Sequence, residues 1–374
     1  MRNPFIVSGY VSPDYFCDRE TESADFIRKV TNGNNLVLIS PRRMGKTGLI
    51  EHCFQQSQIQ KYFYTFYIDI YATNNLNEFV YKLGKEIFER LKSKGKKIIE
   101  QFFSVITSLR PAFKLDEFSG APVFDIGIGE IRSPEFTLEE IFKYIDLADK
   151  PCIVAIDEFQ QIAKYPEKNI EATLRTHIQH CKNATFVFAG SQRHILQNIF
   201  FSSSRPFYQS TALLTLDVID EETYTTFARR LFEQGKKLIS IELIRKAYLL
   251  FEGHTWYVQA IYNELFSLLN EGEECTEEQF WEAINSRIFS YDNLFANTLN
   301  LLSERQRELL YAIAQEGKAQ KITSGAFIKK HGLHSSGSVQ TSASQLLDKE
   351  IITQENNIYF VYDRFFGLWL NRVF

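Results

Sequence analysis

An apolar run that ends in a short loop with the sequence Gly-Lys-Thr is the feature that most constrains this chain. Residues 36–39 are Leu-Val-Leu-Ile and predict a buried strand, residues 40–45 form the loop, and residues 48–54 have the pattern of a helix. A strand, a loop and a helix in this order direct backbone N–H groups and the positive end of the helix dipole at one point. That arrangement is typical of a phosphate-binding loop.

The side chains of this loop have the chemistry that phosphate binding requires. Lys46 would place a positive charge on the β- and γ-phosphates of a nucleotide, and Thr47 would offer a hydroxyl group to Mg²⁺. Ser40 stands where the usual pattern has its first glycine, and serine adopts left-handed backbone conformations less readily than glycine. The candidate nucleotide-binding residues are Ser40, Pro41, Arg42, Arg43, Met44, Gly45, Lys46, Thr47 and Gly48.

A second apolar run, later in the chain, ends in two adjacent carboxylates. Residues 151–156 read Pro-Cys-Ile-Val-Ala-Ile and are followed by Asp157 and Glu158. Because ligands collect at the carboxyl ends of parallel strands, we expect Asp157 to lie beside Thr47 and to share a Mg²⁺ ion with it. Glu158 is then the candidate base for the water that attacks the γ-phosphate. The alternative is a strand that is followed by a solvated acidic turn.

These motifs resemble, in the same order, those of the archaeal-type P-loop ATPases of the AAA+ and STAND lineage. Residues 41–47 have the Pro-Arg-Arg-x-Gly-Lys-Thr form of that group, and residues 157–158 match its Asp-Glu pair. Residues 186–191 resemble the strand that carries its polar sensor residue, so the resemblance implies that Ser191 senses the γ-phosphate. It also implies a helical lid and a C-terminal winged helix after the ATPase core.

Two further segments resemble the group with substitutions. Residues 253–257 fall where the lid has a Gly-x-Pro signature, with Thr255 in place of the proline. Residues 205–210 resemble a Pro-Phe-Tyr-Gly-Arg motif, with Gln and Ser in place of Gly-Arg. The candidate catalytic residues are Glu158, Ser191 and Arg205.

The pattern of apolar residues divides the chain into three predicted domains. Up to about residue 217 strand-like runs alternate with helical periods, which is typical of a doubly wound parallel sheet. Helical patterns follow, and then three helices and a strand pair indicate a winged helix. We therefore expect an α/β P-loop ATPase core at residues 1–218 with an inserted segment at about 92–136, a helical segment at 219–295 and a winged-helix domain at 296–374. The resemblance implies that the helical segment at 219–295 is a lid.

Three features of the sequence resemble metal or anion sites but have simpler interpretations. Asp116 and Glu117 are predicted to form the polar turn of a hairpin, and the basic residues 92–97 a solvated helix end. His177 and His180 are three residues apart, a spacing that by itself does not predict a metal site.

Composition favours a chain that works in a reducing compartment away from membranes. The net charge is −4, so no overall attraction draws the chain to nucleic acid or anionic lipid. The five cysteines are odd in number and lack Cys-x-x-Cys spacing, which argues against a disulfide framework or a zinc site. No secretory signal pattern or long apolar run is visible, so we expect a cytoplasmic location and no membrane partner.

The predicted third helix of the winged helix bears on DNA binding. Residues 335–345 offer hydroxyl and amide groups but contain no lysine or arginine, whereas Lys329, Lys330 and Lys349 flank them. Since phosphate contacts usually dominate affinity for DNA, this composition allows weak binding only. An intramolecular or protein-binding role is the favoured interpretation.

The sequence as a whole predicts a switch or assembly ATPase that binds ATP or ADP with Mg²⁺ and acts on a protein partner or by self-association. A nucleotide-gated regulator that binds DNA is the first alternative. A small-molecule kinase is the second alternative. It would need a pocket for the phosphate acceptor, and the expected lid and winged helix argue against such a pocket. Arg42 and Arg43 would contact phosphate or a neighbouring subunit, or else be surface cations.

Overall fold

A computed structural model of the chain describes residues 3–91, 96–109, 113–115, 122–124 and 131–373. The chain divides into two compact units. Ser8–Ile219 form the first, here called the sheet unit, and Met1–Val7 together with Asp220–Phe374 form the second, the helical unit. Asp116 and Glu117 lie outside the described residues, as does the basic run from 92 to 95.

The sheet unit is built around five parallel strands. The strands of this unit are β1 (Leu36–Ile39), β2 (Tyr64–Asp69), β3 (Phe113–Leu115), β4 (Pro122–Phe124), β5 (Cys152–Asp157), β6 (Ala184–Gly190) and β7 (Ala212–Thr215). The main sheet has the order β2-β5-β6-β1-β7, and all of its neighbours are parallel. Strands β3 and β4 form a separate antiparallel pair within the predicted insertion.

Helices connect these strands. They are α1 (Glu20–Thr31), α2 (Lys46–Gln55), α3 (Ser57–Gln60), α4 (Leu76–Leu91), α5 (Lys96–Val105), α6 (Pro134–Asp146), α7 (Ile170–His180) and α8 (Arg193–Phe201). Two 3-10 helices cover Pro13–Tyr15 and Phe159–Lys164.

Both faces of the main sheet are covered, which explains the continuous apolar runs in the sequence. Every residue of β1 and of β5 is buried. Because successive side chains of a strand point to opposite faces, Val37 and Ile39 join one core cluster while Leu36 and Leu38 join the other. This is the pattern of a sheet with helices on both sides.

The strand order brings distant parts of the sequence to one edge of the sheet. Strand β6 lies between β1 and β5, and its last residue Gly190 is in register with Ile39. On the other side of β5, Asp157 is in register with Asp69 of β2. Since all of these strands run in the same direction, the segments that follow them emerge together at their carboxyl ends.

The helical unit contains nine helices among its described residues. They are α9 (Glu221–Gln234), α10 (Ile241–Leu250), α11 (Thr255–Leu268), α12 (Glu277–Phe289), α13 (Asp292–Asn300), α14 (Glu304–Glu316), α15 (Gly325–Lys330), α16 (Ser336–Asp348) and α17 (Arg364–Val373). A small antiparallel sheet has the order β8-β10-β9, with β8 at Ala319–Gln320, β9 at Ile352–Glu355 and β10 at Ile358–Val361.

Helices α14 to α16 and the small sheet form the winged helix that the sequence predicted. Helix α14 begins with a capping box in which Ser303 and Gln306 exchange side-chain hydrogen bonds with each other's backbone N–H groups. Strands β9 and β10 are joined by Asn356 and Asn357, whose φ values of 50° and 63° suit a tight hairpin turn. The predicted strand pair is therefore a hairpin that turns at these two asparagines.

The first residues of the chain pack inside the helical unit. The ring of Phe5 is fully buried, with its centroid 4.8 Å from that of Phe232, 5.4 Å from Tyr262 and 5.9 Å from Phe266. Asn263 donates a hydrogen bond to the carbonyl of Phe5, at 2.7 Å. An aromatic cluster thus holds this segment on helices α9 and α11.

The doubly wound parallel sheet and the winged helix are confirmed, but some elements were not predicted from the sequence. Among them are the helices α1, α3, α8, α13 and α17 and the two-residue strand β8. Helix α2 begins at Lys46, two residues before the predicted start. No helix in the described part of the chain is both long enough and apolar enough to span a membrane.

Candidate nucleotide-binding site

The loop that follows β1 is anchored to β6 and ends in a glycine with a left-handed conformation. The N–H of Ser40 donates to the carbonyl of Gly190 at 3.3 Å, so Ser40 continues the β1–β6 ladder and its side chain is fully buried. Ser40 is not among the residues with positive φ, and serine therefore meets no strain in place of glycine. Gly45 has φ +87° immediately before α2, a conformation that suits glycine because other residues are strained there.

Lys46 lies at the start of α2 and joins the two sequence motifs. Its side chain is buried, and its Nζ donates to a carboxylate oxygen of Asp157 and to Oε1 of Glu158, the latter at 2.9 Å. The predicted phosphate-binding lysine and the predicted metal and base carboxylates therefore form one cluster.

Asp157 accepts hydrogen bonds from two elements of the sheet unit, β2 and α2. Tyr67 of β2 donates its hydroxyl to Oδ2 at 2.5 Å, and the Thr47 hydroxyl donates to the same oxygen at 3.2 Å. Burial alone would raise the pKa of Asp157, but the charge and hydrogen bond of Lys46, helped by Tyr67 and the N–H of Glu158, lower it below the usual value. Asp157 is therefore a buried, ionised carboxylate.

Tyr67 is a site residue that sequence reasoning missed. Its hydroxyl also lies 3.3 Å from that of Thr47. Burial, followed by the adjacent charge of Asp157, raises the pKa of Tyr67, so the phenol keeps its proton and donates it. Only the pairing of β2 with β5 reveals this contact, because nothing in the local pattern of β2 marks a tyrosine for a site.

Glu158 is held in a left-handed turn between β5 and the following 3-10 helix. Its φ is 56°, a conformation that costs a residue other than glycine on the order of 1 kcal/mol or more. Its Oε2 accepts from Nε2 of Gln160 at 2.5 Å and from the Ser191 hydroxyl at 3.1 Å. Ser191, the predicted sensor, thus contacts the predicted base.

The oxygen donors of this site fit Mg²⁺. That ion favours one or two carboxylates and hydroxyl or water oxygens, with substrate phosphates completing its coordination. The hydroxyl of Thr47 and the carboxylate of Asp157 converge within 3.2 Å of each other and meet this requirement. The N-terminus of α2 and the Lys46 ammonium supply the positive field that phosphates need.

Other predicted residues lie apart from this cluster or bear on it indirectly. Arg205 forms an ion pair with Glu171 of α7 at 3.1 Å. The guanidinium of Arg42 lies over the ring of Tyr71, 5.6 Å from its centroid. Pro41 and Arg43 are exposed, Met44 is buried, and Gly48 is half-buried. Within the described ranges, no group of three or more His, Cys, Asp or Glu side chains could hold a metal ion.

The sheet topology and the Lys46 cluster together define a P-loop ATPase of AAA+-like type. A family model described as an ATPase domain predominantly from Archaea matches residues 16–261, and one described as a probable winged helix domain matches residues 293–372. The first match covers more than half of the chain. The chain belongs to this family of archaeal-type ATPases, and its C-terminal part is a winged helix.

Solved structures share this fold at low sequence identity. A Walker-type ATPase of Pyrococcus abyssi is 18% identical with a TM-score of 0.68, and the match covers 98% of this chain and 99% of that one. The ORC2 protein of Aeropyrum pernix, solved in ADPNP–ADP complexes, is 12% identical with a TM-score of 0.63 over 100% and 96% of the two chains. The ORC1 protein of the same organism, solved with DNA, is 12% identical with a TM-score of 0.53 over 99% and 96%. No curated protein matches the sequence.

The hydrogen bond from Tyr67 to the buried carboxylate generates a prediction for the nucleotide-free protein. Tyr67→Phe removes one donor from Asp157 and leaves the rest of the ring in place. We expect the sheet unit to lose about 1–3 kcal/mol of unfolding free energy, the usual cost of a buried polar group that loses its partner. Urea denaturation followed by circular dichroism measures the loss.

Tyr62→Phe is the matched control, since Tyr62 precedes β2 and is 56% exposed. It should change the unfolding free energy by no more than about 0.5 kcal/mol. Equal effects of the two substitutions would mean that the contact between Tyr67 and Asp157 contributes nothing to stability.

Proposed function

We propose that this protein binds ATP together with Mg²⁺ and hydrolyses it, as a switch or assembly ATPase of the AAA+/STAND type. The observation that carries the proposal is that Lys46 donates hydrogen bonds to Asp157 and Glu158, while Thr47 donates one to Asp157. The two motifs are more than a hundred residues apart in the sequence, so their contact depends on the tertiary fold and not on local sequence.

Each residue of the cluster has a role in the proposal. Lys46 and the N–H groups of the loop and of the first turn of α2 would bind the phosphates. Thr47 and Asp157 would hold Mg²⁺, which when bound neutralises charge on the β- and γ-phosphate oxygens. Glu158 would take a proton from the attacking water, and Ser191 would respond to the γ-phosphate.

The contacts of Lys46 suggest how binding and chemistry are linked. The ammonium of Lys46 donates a hydrogen bond to Oε1 of Glu158. Phosphates would compete for the same ammonium, and its withdrawal would leave Oε1 able to accept a proton from water. The base would thus become active only when the substrate is bound.

Contacts within the helical unit support a switch whose lid and winged helix move together. The guanidinium of Arg364 in α17 donates to Glu252 at 3.0 Å and lies 2.9 Å from Nε2 of His254. The ring of Phe365 packs against that of Tyr257, with their centroids 5.1 Å apart. The lid segment with the Gly-x-Thr sequence is therefore bonded to the last helix, and we propose that a lid at residues 219–295 transmits nucleotide state to a winged-helix domain at 296–374.

Arg205 receives no role in this proposal. It would have to leave Glu171 before it could act on a nucleotide. The partner that responds to the switch is proposed to be a protein or a second copy of the chain.

A nucleotide-gated DNA regulator is the second candidate, because the ORC1 protein with a similar fold was solved with DNA. Three cations of the winged helix are held in ion pairs with carboxylates. Lys318 and Arg364 pair with Glu252, and Lys330 pairs with Glu316. Helix α16 contains no lysine or arginine at all. These pairings favour the switch over the DNA regulator.

ATP binding should depend on Lys46. At an ATP concentration a hundred times the dissociation constant, a ligand stabilises the folded state by about 2.7 kcal/mol. We expect ATP and Mg²⁺ to raise the thermal unfolding midpoint of the wild type, and to raise that of Lys46→Ala little or not at all. Lys82→Ala, which removes a lysine from α4 and its pair with Glu86, should keep the full shift. Equal shifts in all three proteins would refute the phosphate-loop assignment.

Hydrolysis should separate from binding at the carboxylate pair. Glu158→Gln should bind ATP but hydrolyse it about 10²- to 10⁴-fold more slowly, because the general base is lost. Asp157→Asn should instead weaken the Mg²⁺-dependent part of ATP affinity. Phosphate release measures the rate of hydrolysis, and nucleotide titration measures the affinity. Glu139→Gln, at an exposed position, is the control and should leave both unchanged. A wild-type rate in Glu158→Gln would assign the base elsewhere.

The charge of the winged helix generates a prediction about DNA. From residue 296 onward, nine cationic residues face seven acidic ones. The cations are Arg305, Arg307, Lys318, Lys321, Lys329, Lys330, Lys349, Arg364 and Arg372. The acids are Glu304, Glu308, Glu316, Asp348, Glu350, Glu355 and Asp363. We expect the full chain to bind random duplex DNA no tighter than roughly 10⁻⁴ M at physiological salt.

Titration of a labelled duplex at several salt concentrations tests this prediction. Gln340→Lys, which adds a cation at an exposed position of α16, should tighten binding and steepen its salt dependence. Micromolar binding by the wild type with a steep salt slope would promote the DNA regulator over the switch.

A further inference from the structure

Gln160 carries a buried amide that contacts the proposed base, Glu158. It belongs neither to the phosphate-binding loop nor to the Asp-Glu pair at the end of β5. It lies in the 3-10 helix after Glu158 and is 3% exposed. Its Nε2 donates to Oε2 of Glu158 at 2.5 Å. Hydrogen bonds from a neutral donor to an ionised acceptor are short and strong, so this one constrains the carboxylate.

Gly190 provides the space that this amide occupies. A Cβ built on Gly190 would lie 2.0 Å from Oε1 of Gln160, far closer than the 3.0 Å that real Cβ atoms keep. Gly190 is the last residue of β6 and has no positive φ, so its backbone would accept other residues. A side chain at this position would have to displace the amide, and it would also approach Cδ1 of Leu196 to 2.9 Å. Close contacts rather than backbone strain therefore favour glycine here.

The environment of Gln160 also fixes which way the amide faces. Oε1 is buried and has no hydrogen-bond partner among the described residues. If the amide were rotated by half a turn, that oxygen would face the Glu158 carboxylate instead, and two acceptors would repel each other. The N–H group is thus held towards Glu158 even though the carbonyl stays unbonded.

The carboxylate of Glu158 is consequently held from two sides. Its Oε2 accepts from Gln160 on the 3-10 helix and from Ser191 after β6, at 2.5 and 3.1 Å. Its Oε1 is left to face Lys46 at 2.9 Å. Two donors on one oxygen fix the rotation of the group and direct the other oxygen at the phosphate-binding lysine.

We infer that Gln160 is a positioning residue for Glu158, and that Gly190 is glycine so that Gln160 can take this position. The inference rests on the proposed function, since it assumes that Glu158 activates water. Gln160 bonds to Glu158 and to none of the phosphate-loop groups among the described residues. Its loss should therefore lower the rate at saturating ATP and leave ATP affinity nearly unchanged.

Gln160→Met tests this directly, because methionine has a similar length and no N–H group. We expect kcat to fall about tenfold or more, while the ATP dissociation constant stays within about twofold of wild type. Gln161→Met is the matched control, since the amide of Gln161 donates to the carbonyl of Thr73 at 3.1 Å, away from Glu158. A wild-type kcat in Gln160→Met, or an equal loss in both variants, would overturn the inference.

Gly190→Ala provides a second, independent displacement of the same amide. We expect it to lower both kcat and the thermal unfolding midpoint. Adding Gln160→Ala removes the closest contact of the new Cβ, at 2.0 Å, and leaves the one with Cδ1 of Leu196, at 2.9 Å. The midpoint should therefore recover in part while kcat stays low. Recovery of kcat in the double variant would show that Gln160 does not position the base.

A double-mutant cycle of Gln160 and Glu158, measured without added nucleotide, separates this inference from the proposed function. In the wild-type background, Gln160→Met should lower the thermal unfolding midpoint by about 2 to 4 °C. In the Glu158→Met background the same substitution should hardly change the midpoint, because its hydrogen-bond partner is already lost. Equal shifts in both backgrounds would overturn the contact between Gln160 and Glu158. A wild type that does not hydrolyse ATP would refute the proposed function alone, and the cycle would still decide the role of Gln160.

Discussion

A single buried ammonium organises the site, because Lys46 bonds to both Asp157 and Glu158. The contact joins the start of α2 to the end of β5, and therefore one sequence motif to the other. A buried carboxylate that loses its cationic partner costs about 3–5 kcal/mol, so neither motif could change alone without penalty. The hydrogen bonds of Tyr67, Gln160 and other neighbours then arrange the carboxylates around this cation.

The sequence predicted those parts of the site that depend on local pattern. A buried strand, a loop and Lys46 at a helix start follow from adjacent residues, and so does a strand that ends at Asp157. Tyr67 and Gly190 could not be predicted in this way, because their roles come from the strand order β2-β5-β6-β1. Arg205 was selected by a motif resemblance, and its ion pair with Glu171 is a tertiary contact that the resemblance does not contain.

The same distinction holds for the fold. Long apolar runs and helical periods identified the sheet, helices α9 to α12 and the winged helix, whereas the nine-residue helix α13 was missed. Only Phe295 and Leu299 are buried on that helix, so its apolar signal is weak. Strand β8 has two residues and forms only by pairing with β10, a contact between distant segments that no local pattern contains.

The packing of Phe5 has a consequence for how the chain reaches its folded state. Its partners Phe232, Tyr262 and Phe266 are synthesised more than two hundred residues later, so the first segment must wait while the whole sheet unit is made. Contacts between such distant residues close late and slow folding. A fragment that began at residue 220 would lack the ring of Phe5, and a cavity would remain between its three aromatic neighbours.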